Sequence, residues 1–185
     1  MNQARTALDQ GNLNEAERLY EQWLTQRPHS TAARFGLARL FLLQGRVDQA
    51  RLMYLDILQI EPVNSTAQAS LINLPGTGSP ESRRRLQFLL EQNPDDPYLN
   101  YVMGNQQAGL TRWDEAQKYY FQATALKRDN AIYAFNLAIA LDHLQKPDAA
   151  ASYYRRALEL TTPPLGQAHR QQVIDRLKNI ANTKG

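Results

Sequence analysis

The sequence predicts an all-α solenoid built from helical hairpins, and three observations carry the prediction. Apolar residues recur at helical spacing, as in Leu37, Ala38 and Phe41 followed by Ala50, Tyr54, Ile57 and Leu58. Gly45 separates these two stretches and Pro62 closes the second, so 31–64 reads as one complete hairpin. The landmarks of that hairpin then repeat. Ala16, Ala50, Ser82, Ala116 and Ala150 stand at a constant interval, shortened slightly once, between Ala50 and Ser82, and Tyr20, Tyr54, Leu86, Tyr120 and Tyr154 keep pace with them. No single hairpin can bury its apolar face alone, so a repeated one is expected to stack on its neighbours.

Taken in order, the repeats are 1–30, 31–64, 65–96, 97–130 and 131–164, followed by a capping helix over 165–182, all in one domain spanning 1–185. Gly11 precedes Gly45 by one full period, which puts Met1 at the place of Phe35, and the spacing predicts a longer chain from which the start of the first repeat is missing. Asn14 is read as the start of the second helix, with Glu15 favoured in its first turn by the helix dipole. Trp23 stands where later repeats have Ala123 and Ala157, so the first two hairpins are expected to pack differently from the others.

In the second repeat Gly45 supplies a permissive turn backbone, Asp48 opens the next helix and Pro62 ends it. The third repeat is irregular: a short helix over 67–74 stops before Pro75, and Gly76-Thr77-Gly78 replaces the usual turn. Ser79 as N-cap and Pro80 at the first helical position restart it, with Leu86, Leu89 and Leu90 facing inward. The fourth and fifth repeats keep the spacing but carry Thr111 and Gln145 in place of the turn glycine. Beyond Pro163-Pro164, Val173, Ile174, Leu177, Ile180 and Ala181 recur at helical spacing against a polar face, as expected of a helix that covers the last hairpin.

A two-helix unit with a period of about 34 residues and these small, aromatic and proline landmarks resembles the tetratricopeptide repeat. The resemblance covers nearly the whole chain. It implies a right-handed superhelix, no enzymatic activity, no cofactor, and a protein or peptide partner held on the concave face formed by the first helices. Asn136-Leu137-Ala138 with Leu141-Asp142, followed by 153–158, is also similar to tetratricopeptide proteins that accompany bacterial type IV pilus and type II secretion machinery. That narrower likeness implies an assembly role at the cell envelope, on its periplasmic side; residue content alone leaves the cytoplasm equally open.

Composition removes several other classes. There are no cysteines, which excludes disulfides and sulfur-built zinc sites. No apolar run approaches the roughly 18 residues a spanning helix needs. His29, His143 and His169 are isolated, without the second ligand at i, i+4 that a helical metal site requires, so no metal is expected. Gly76-Thr77-Gly78-Ser79-Pro80 lacks the preceding strand and following Lys-Ser or Lys-Thr of a phosphate loop. Asp95-Asp96 and Asp114-Glu115 read as helix caps rather than as an acid and base. No small-molecule substrate is implied. A net charge of +3, spread evenly along the chain, is a poor argument for nucleic acid, although a nucleic-acid-binding solenoid is the alternative class and salt-sensitive affinity would reveal it.

The binding candidates lie on the first helix of each repeat. Phe35, Arg39 and Leu42 occupy a second stripe at i, i+4 and i+7, distinct from the packing stripe and without a packing role inside the hairpin. The same stripe holds Tyr101, Asn105 and Ala108 in the fourth repeat and Phe135, Ile139 and Asp142 in the fifth. Aromatic residues at helical spacing also serve as core, and part of this stripe could pack between adjacent repeats. The lysine, arginine and asparagine clamp by which some members bind terminal carboxylates is largely replaced here, with Phe35, Tyr101 and Phe135 at its places and Arg39 and Asn105 as polar companions. A partner segment with apolar or aromatic side chains therefore fits better. Arg83, Arg84 and Arg85 are a solvated helix face or a secondary docking spot for an acidic partner.

Overall fold

The structure is a computed structural model that describes residues 1–76, 78–160 and 166–182, for 167 and 168 the backbone only. Among the described residues it is all helix: α1 (Asn2–Asp9), α2 (Leu13–Gln26), α3 (Thr31–Leu43), α4 (Val47–Ile60), α5 (Ser65–Ile72), α6 (Pro80–Gln92), α7 (Pro97–Gly109), α8 (Trp113–Leu126), α9 (Ala131–His143), α10 (Pro147–Glu159) and α11 (Gln167–Asn182). The helices pair into successive hairpins, the all-α architecture that the repeat spacing predicts. None of the described helices is long and apolar enough to cross a membrane. The chain forms two compact units, residues 1–82 and 83–185.

In the first compact unit α1 packs on α2, α2 on α3, α3 on α4 and α4 on α5. Its core runs through Ala4, Leu8, Ala16, Tyr20, Leu37, Ala38, Phe41, Ala50, Tyr54 and Ile57, so the repeated alanines and tyrosines are buried as the spacing requires. Trp23 is half-buried at the edge of this core, beneath the Arg27 guanidinium 4.6 Å from its ring centre. In the second compact unit α7 pairs with α8, α8 with α9, α9 with α10, and α10 with α11. Ala116, Tyr120, Leu137, Ala138, Ala150, Tyr154 and Ala157 form the centre of that core.

Local chemistry sets the helix boundaries. The first helices of the second to fifth repeats open on side-chain caps: Ser30 accepts from the Ala33 amide, Asn64 from Ala67, Asp96 from Tyr98 and Leu99, and Asn130 from Ile132 and Tyr133. The second helices open differently. Asn12, Arg46 and Arg112 are N-caps whose side chains make no capping bond to the helix, and Asn14 and Asp48 sit inside the first turn instead of starting the helix. Asn64 likewise moves the start of the short helix of the third repeat back to Ser65. Ser79 does accept from the Ser82 amide at 3.1 Å, ahead of Pro80. Thr77, the Pro163-Pro164 break and the expected cap start at 165 lie outside the described residues. In α11, Val173 and Ile180 are buried and Leu177 half-buried, whereas Ile174 and Ala181 face outward. A narrow apolar stripe is enough here, because α11 meets the core from one side only, against α10 and α9.

Gly11 and Gly45 turn with φ of +78° and +74°, and Thr111 and Gln145 hold the same left-handed geometry at +58° and +57°. For a residue with a Cβ that geometry costs about 1–2 kcal/mol. Glycine should relieve it, less the entropy glycine loses on folding. Thr111→Gly and Gln145→Gly should therefore each stabilise the chain by about 0.5–1 kcal/mol in denaturant titration. A loss of stability in both would show that the turns are held by their side chains.

Tyr154 is buried against the last two hairpin helices and fills the space left by alanines on either side. Tyr154→Ala should cost about 3–5 kcal/mol. A loss below about 1 kcal/mol would mean that the ring does not bear on the core.

Candidate functional site

The alternation of large and small residues that packs each hairpin also decides which side chains reach its outer faces. Phe35, Tyr101 and Phe135 stand one turn before the small positions Ala38, Gly104 and Ala138, so each leans toward the tyrosine of its own second helix. Ring centres lie 6.1 Å apart for Phe35 and Tyr54, 6.2 Å for Tyr101 and Tyr120, and 6.2 Å for Phe135 and Tyr154. The expectation that this stripe has no packing role within its hairpin is therefore corrected: it backs the tyrosine landmarks, in the range where aromatic pairs attract.

In the first compact unit, Phe35 and Arg39 line a cleft of about 410 Å³ between α1 and α3, with Arg5, Leu8, Tyr20 and Gly36. Arg39 donates to Asp9 at 3.0 Å. Leu42, farther along α3, is 37 % exposed. Arg5 and Leu8 precede Arg39 and Leu42 by one period, so they are the same stripe in the first repeat, a correspondence that the spacing itself contains.

The second compact unit holds the remaining groove candidates. Tyr101 stacks on Tyr133 at 5.0 Å and lies 6.1 Å from Tyr98, and Asn105 accepts a bond from the Tyr120 hydroxyl at 2.9 Å. Phe135 is only 5 % exposed, because His169 of α11 covers it at 5.0 Å. Ile139 and Asp142 line a cleft of about 540 Å³ between α9 and α11, together with His143, Tyr154, Gln172 and Arg176. Arg176 donates to both Asp142 oxygens, at 2.5 and 2.7 Å, and the Tyr154 hydroxyl donates to one of them at 3.4 Å. His169 and Arg176 follow Phe135 and Asp142 by one period, so α11 occupies the register of a sixth first helix.

Arg83 is half-buried while Arg84 and Arg85 are exposed, and the Arg85 guanidinium lies 5.3 Å from the Phe88 ring centre. Among the described residues no group of three or more metal-binding side chains occurs. The phenols of Tyr20, Tyr54, Tyr101, Tyr120, Tyr133 and Tyr154 are all raised above the ordinary tyrosine value, in each case chiefly by burial. The Asp142 carboxylate adds to the effect at Tyr154, whereas Arg39 and Arg5 oppose it at Tyr20, where Asp9 reinforces it.

Family models described as tetratricopeptide repeat match residues 7–73 and 101–163. Among solved structures the chain is similar to TTC0263, a thermophilic TPR protein of Thermus thermophilus, with 21 % identity, 96 % of each chain covered and a TM-score of 0.74. It is also similar to a chain of the APC/C hetero-tetramer Cut9–Hcn1, with 21 % identity and a TM-score of 0.72, covering 96 % of this chain and 35 % of that one. A third is YrrB, described as a TPR protein with an unusual peptide-binding site, at 16 % identity, 96 % and 90 % coverage and a TM-score of 0.52. No curated protein sequence matches.

A phenol whose pKa is raised by folding binds its proton more tightly folded than unfolded, so above the unfolded tyrosine value of about 10 the unfolded chain holds fewer protons. Stability from the six tyrosines is thus fully present below about pH 10 and is lost as pH rises beyond it. Spectrophotometric titration should show their ionisation coinciding with loss of helical circular dichroism. Ionisation of all tyrosines at the ordinary value with the helices intact would contradict the burial.

Proposed function

Because the chain belongs to the tetratricopeptide repeat family, whose helical hairpins serve as scaffolds for protein–protein interaction, we propose that it is a non-enzymatic binding module taking a partner segment along the faces of its first helices. One observation carries this reading. Each compact unit has a cleft on that face, and stripe residues line both: Phe35 and Arg39 in the first unit, Ile139 and Asp142 in the second. Leu42, Tyr101 and Asn105 extend the two surfaces, while Phe135, closed over by His169, supports the second from beneath. Peptide binding by YrrB, on the same fold, is in keeping with this use.

Such a surface suits an extended segment, with apolar side chains against Phe35 or Ile139 and main-chain groups within reach of guanidinium and carboxamide donors. The Arg83, Arg84 and Arg85 cluster is a secondary docking spot in this reading. The likeness of 136–142 and 153–158 to pilus and secretion tetratricopeptide proteins supports bacterial envelope assembly as the setting.

Pull-down with the whole chain would identify the partner, and calorimetry would then rank the faces. Phe35→Ala or Tyr101→Ala should weaken binding by about 1–3 kcal/mol, as aromatic anchors do, with a smaller effect from replacing Arg83, Arg84 and Arg85 together. Unchanged affinity in the folded Phe35→Ala, Tyr101→Ala double variant, with loss in the triple-arginine variant, would move the site to the arginine cluster.

A further inference from the structure

The turns that join one hairpin to the next share a bond that the landmark pattern does not announce. Two residues past the ends of α2, α4, α6 and α8 stand Pro28, Pro62, Pro94 and Arg128. The backbone carbonyl at each of these places accepts a side-chain bond from the hairpin that follows. Arg34 Nη1 donates to Pro28 at 2.6 Å, Gln68 Nε2 to Pro62 at 2.9 Å and Asn100 Nδ2 to Pro94 at 2.8 Å. Each of these donors is the fourth residue of its first helix. A carbonyl just past a helix end has no intrahelical partner, so a donor there stabilises the turn and ties it to the next hairpin.

The fifth repeat departs from this pattern in sequence and keeps it in structure. Its fourth residue is Ala134, fully buried and without a donor. The Arg128 carbonyl is bonded instead by Arg156 Nη2 at 3.0 Å, from the second helix α10. The counterpart of Arg156 in the second repeat is Asp56, whose carboxylate stands 3.6 Å from Arg34 Nε. Where the first helix supplies the donor, the second helix carries Asp56, Phe88 or Gln122 at this place, never a second cation. One arginine therefore serves the carbonyl in the second and fifth repeats alike, and only the helix that supplies it differs.

The placement of Arg34 shows how strongly the turn contact holds it. Its side chain is 16 % exposed, and among the described residues its Nε is the one buried side-chain nitrogen or oxygen without a hydrogen bond. A closer approach to Asp56 would satisfy Nε, yet Nη1 stays on the Pro28 carbonyl. Leaving a buried donor unpaired is costly, so the turn contact outweighs that cost.

We propose that the bond from the following hairpin to this carbonyl is a latch that fixes the angle at which consecutive hairpins meet, with Arg34 and Arg156 as its charged members. In the first compact unit the latch holds the start of α3 against the end of α2. Ala32, Phe35 and Gly36 on that same start line the α1–α3 cleft, so the latch also sets where this wall of the cleft stands. The device lies in the connections and is independent of what the first-helix faces bind.

Grafting the arrangement of the fifth repeat onto the second tests it, in the whole chain throughout. Arg34→Ala should raise the unfolding equilibrium constant about tenfold in denaturant titration, although alanine is the better helix former. Asp56→Arg alone sets two guanidinium groups together and should raise it about two- to fivefold. In the Arg34→Ala background the same change supplies the donor that Arg156 supplies in the fifth repeat, and should lower the constant about fivefold. An Asp56→Arg effect of one sign in both backgrounds would overturn the latch. The angle itself is read from spin labels on Gln3→Cys in α1 and Leu43→Cys in α3, both exposed positions in a chain with no cysteine of its own. Arg34→Ala should broaden the distance distribution between the labels, and adding Asp56→Arg should narrow it again. An unchanged distribution in Arg34→Ala would reduce the bond to a local turn contact and overturn its part in setting the angle. In the fifth repeat, Arg156→Ala should speed hydrogen exchange of the Asn130 amide, which closes the same turn on Lys127, about tenfold. An unchanged rate there would overturn the transfer of the donor from the first helix to the second.

Discussion

The contact on which the rest depends is a tyrosine ring set against a nearly bare stretch of the neighbouring first helix. Tyr54, Tyr120 and Tyr154 carry most of the bulk in the middle of their hairpins, and alanine or glycine opposite lets the backbones approach. Gly104 shows how close that approach is, since a Cβ there would stand 2.5 Å from the Tyr120 ring. Interiors this dense tolerate neither added nor missing volume, so the large–small pairing sets helix spacing and recurs with the repeat. The aromatic residue of the first helix then backs the ring from its other side, which ties the surface stripe to the core.

That link explains why the stripe is not uniform. Where the next first helix lies close, as α11 does over α9, the aromatic residue is covered and the cleft floor passes to Ile139, Asp142 and Tyr154. Where Gly36 leaves room, the tyrosine itself crosses to the neighbouring hairpin and brings its hydroxyl to the cleft. Two clefts built from one repeated pattern thus share a phenol and an ion-paired guanidinium and differ in what stands beside them: carboxamides in the second compact unit, Arg5 and Phe35 in the first.

Much of the fold was legible because the repeat restates it. Gly45, Thr111 and Gln145 fall at one place in the period, and the structure holds all three in the left-handed turn. The buried alanines and tyrosines follow for the same reason. What period and pattern leave open is which neighbour a side chain meets. Phe135 and Phe35 look alike in sequence, yet His169 covers the first while the second lines a cleft, a difference set by packing across repeats. Caps were misplaced at Asn14 and Asp48 because a polar residue in a first turn resembles an N-cap at the level of composition. Arg5 and Arg176 were missed as cleft residues, although stepping one period back from Arg39 and one forward from Asp142 leads to both.

The same register changes the meaning of α11. A cap need only offer an apolar face inward and a polar one outward, and any amphipathic helix satisfies that. Instead, α11 places His169, Val173 and Arg176 at the positions of Phe135, Ile139 and Asp142, so it continues the candidate stripe while it closes the core. Val173 is buried, Arg176 reaches back to Asp142, and Gln172, Asp175 and Asn179 line the cleft from the same helix. The helix that ends the apolar core is therefore also one wall of the candidate groove, and the stability of the last hairpin and the shape of its cleft depend on the same few contacts.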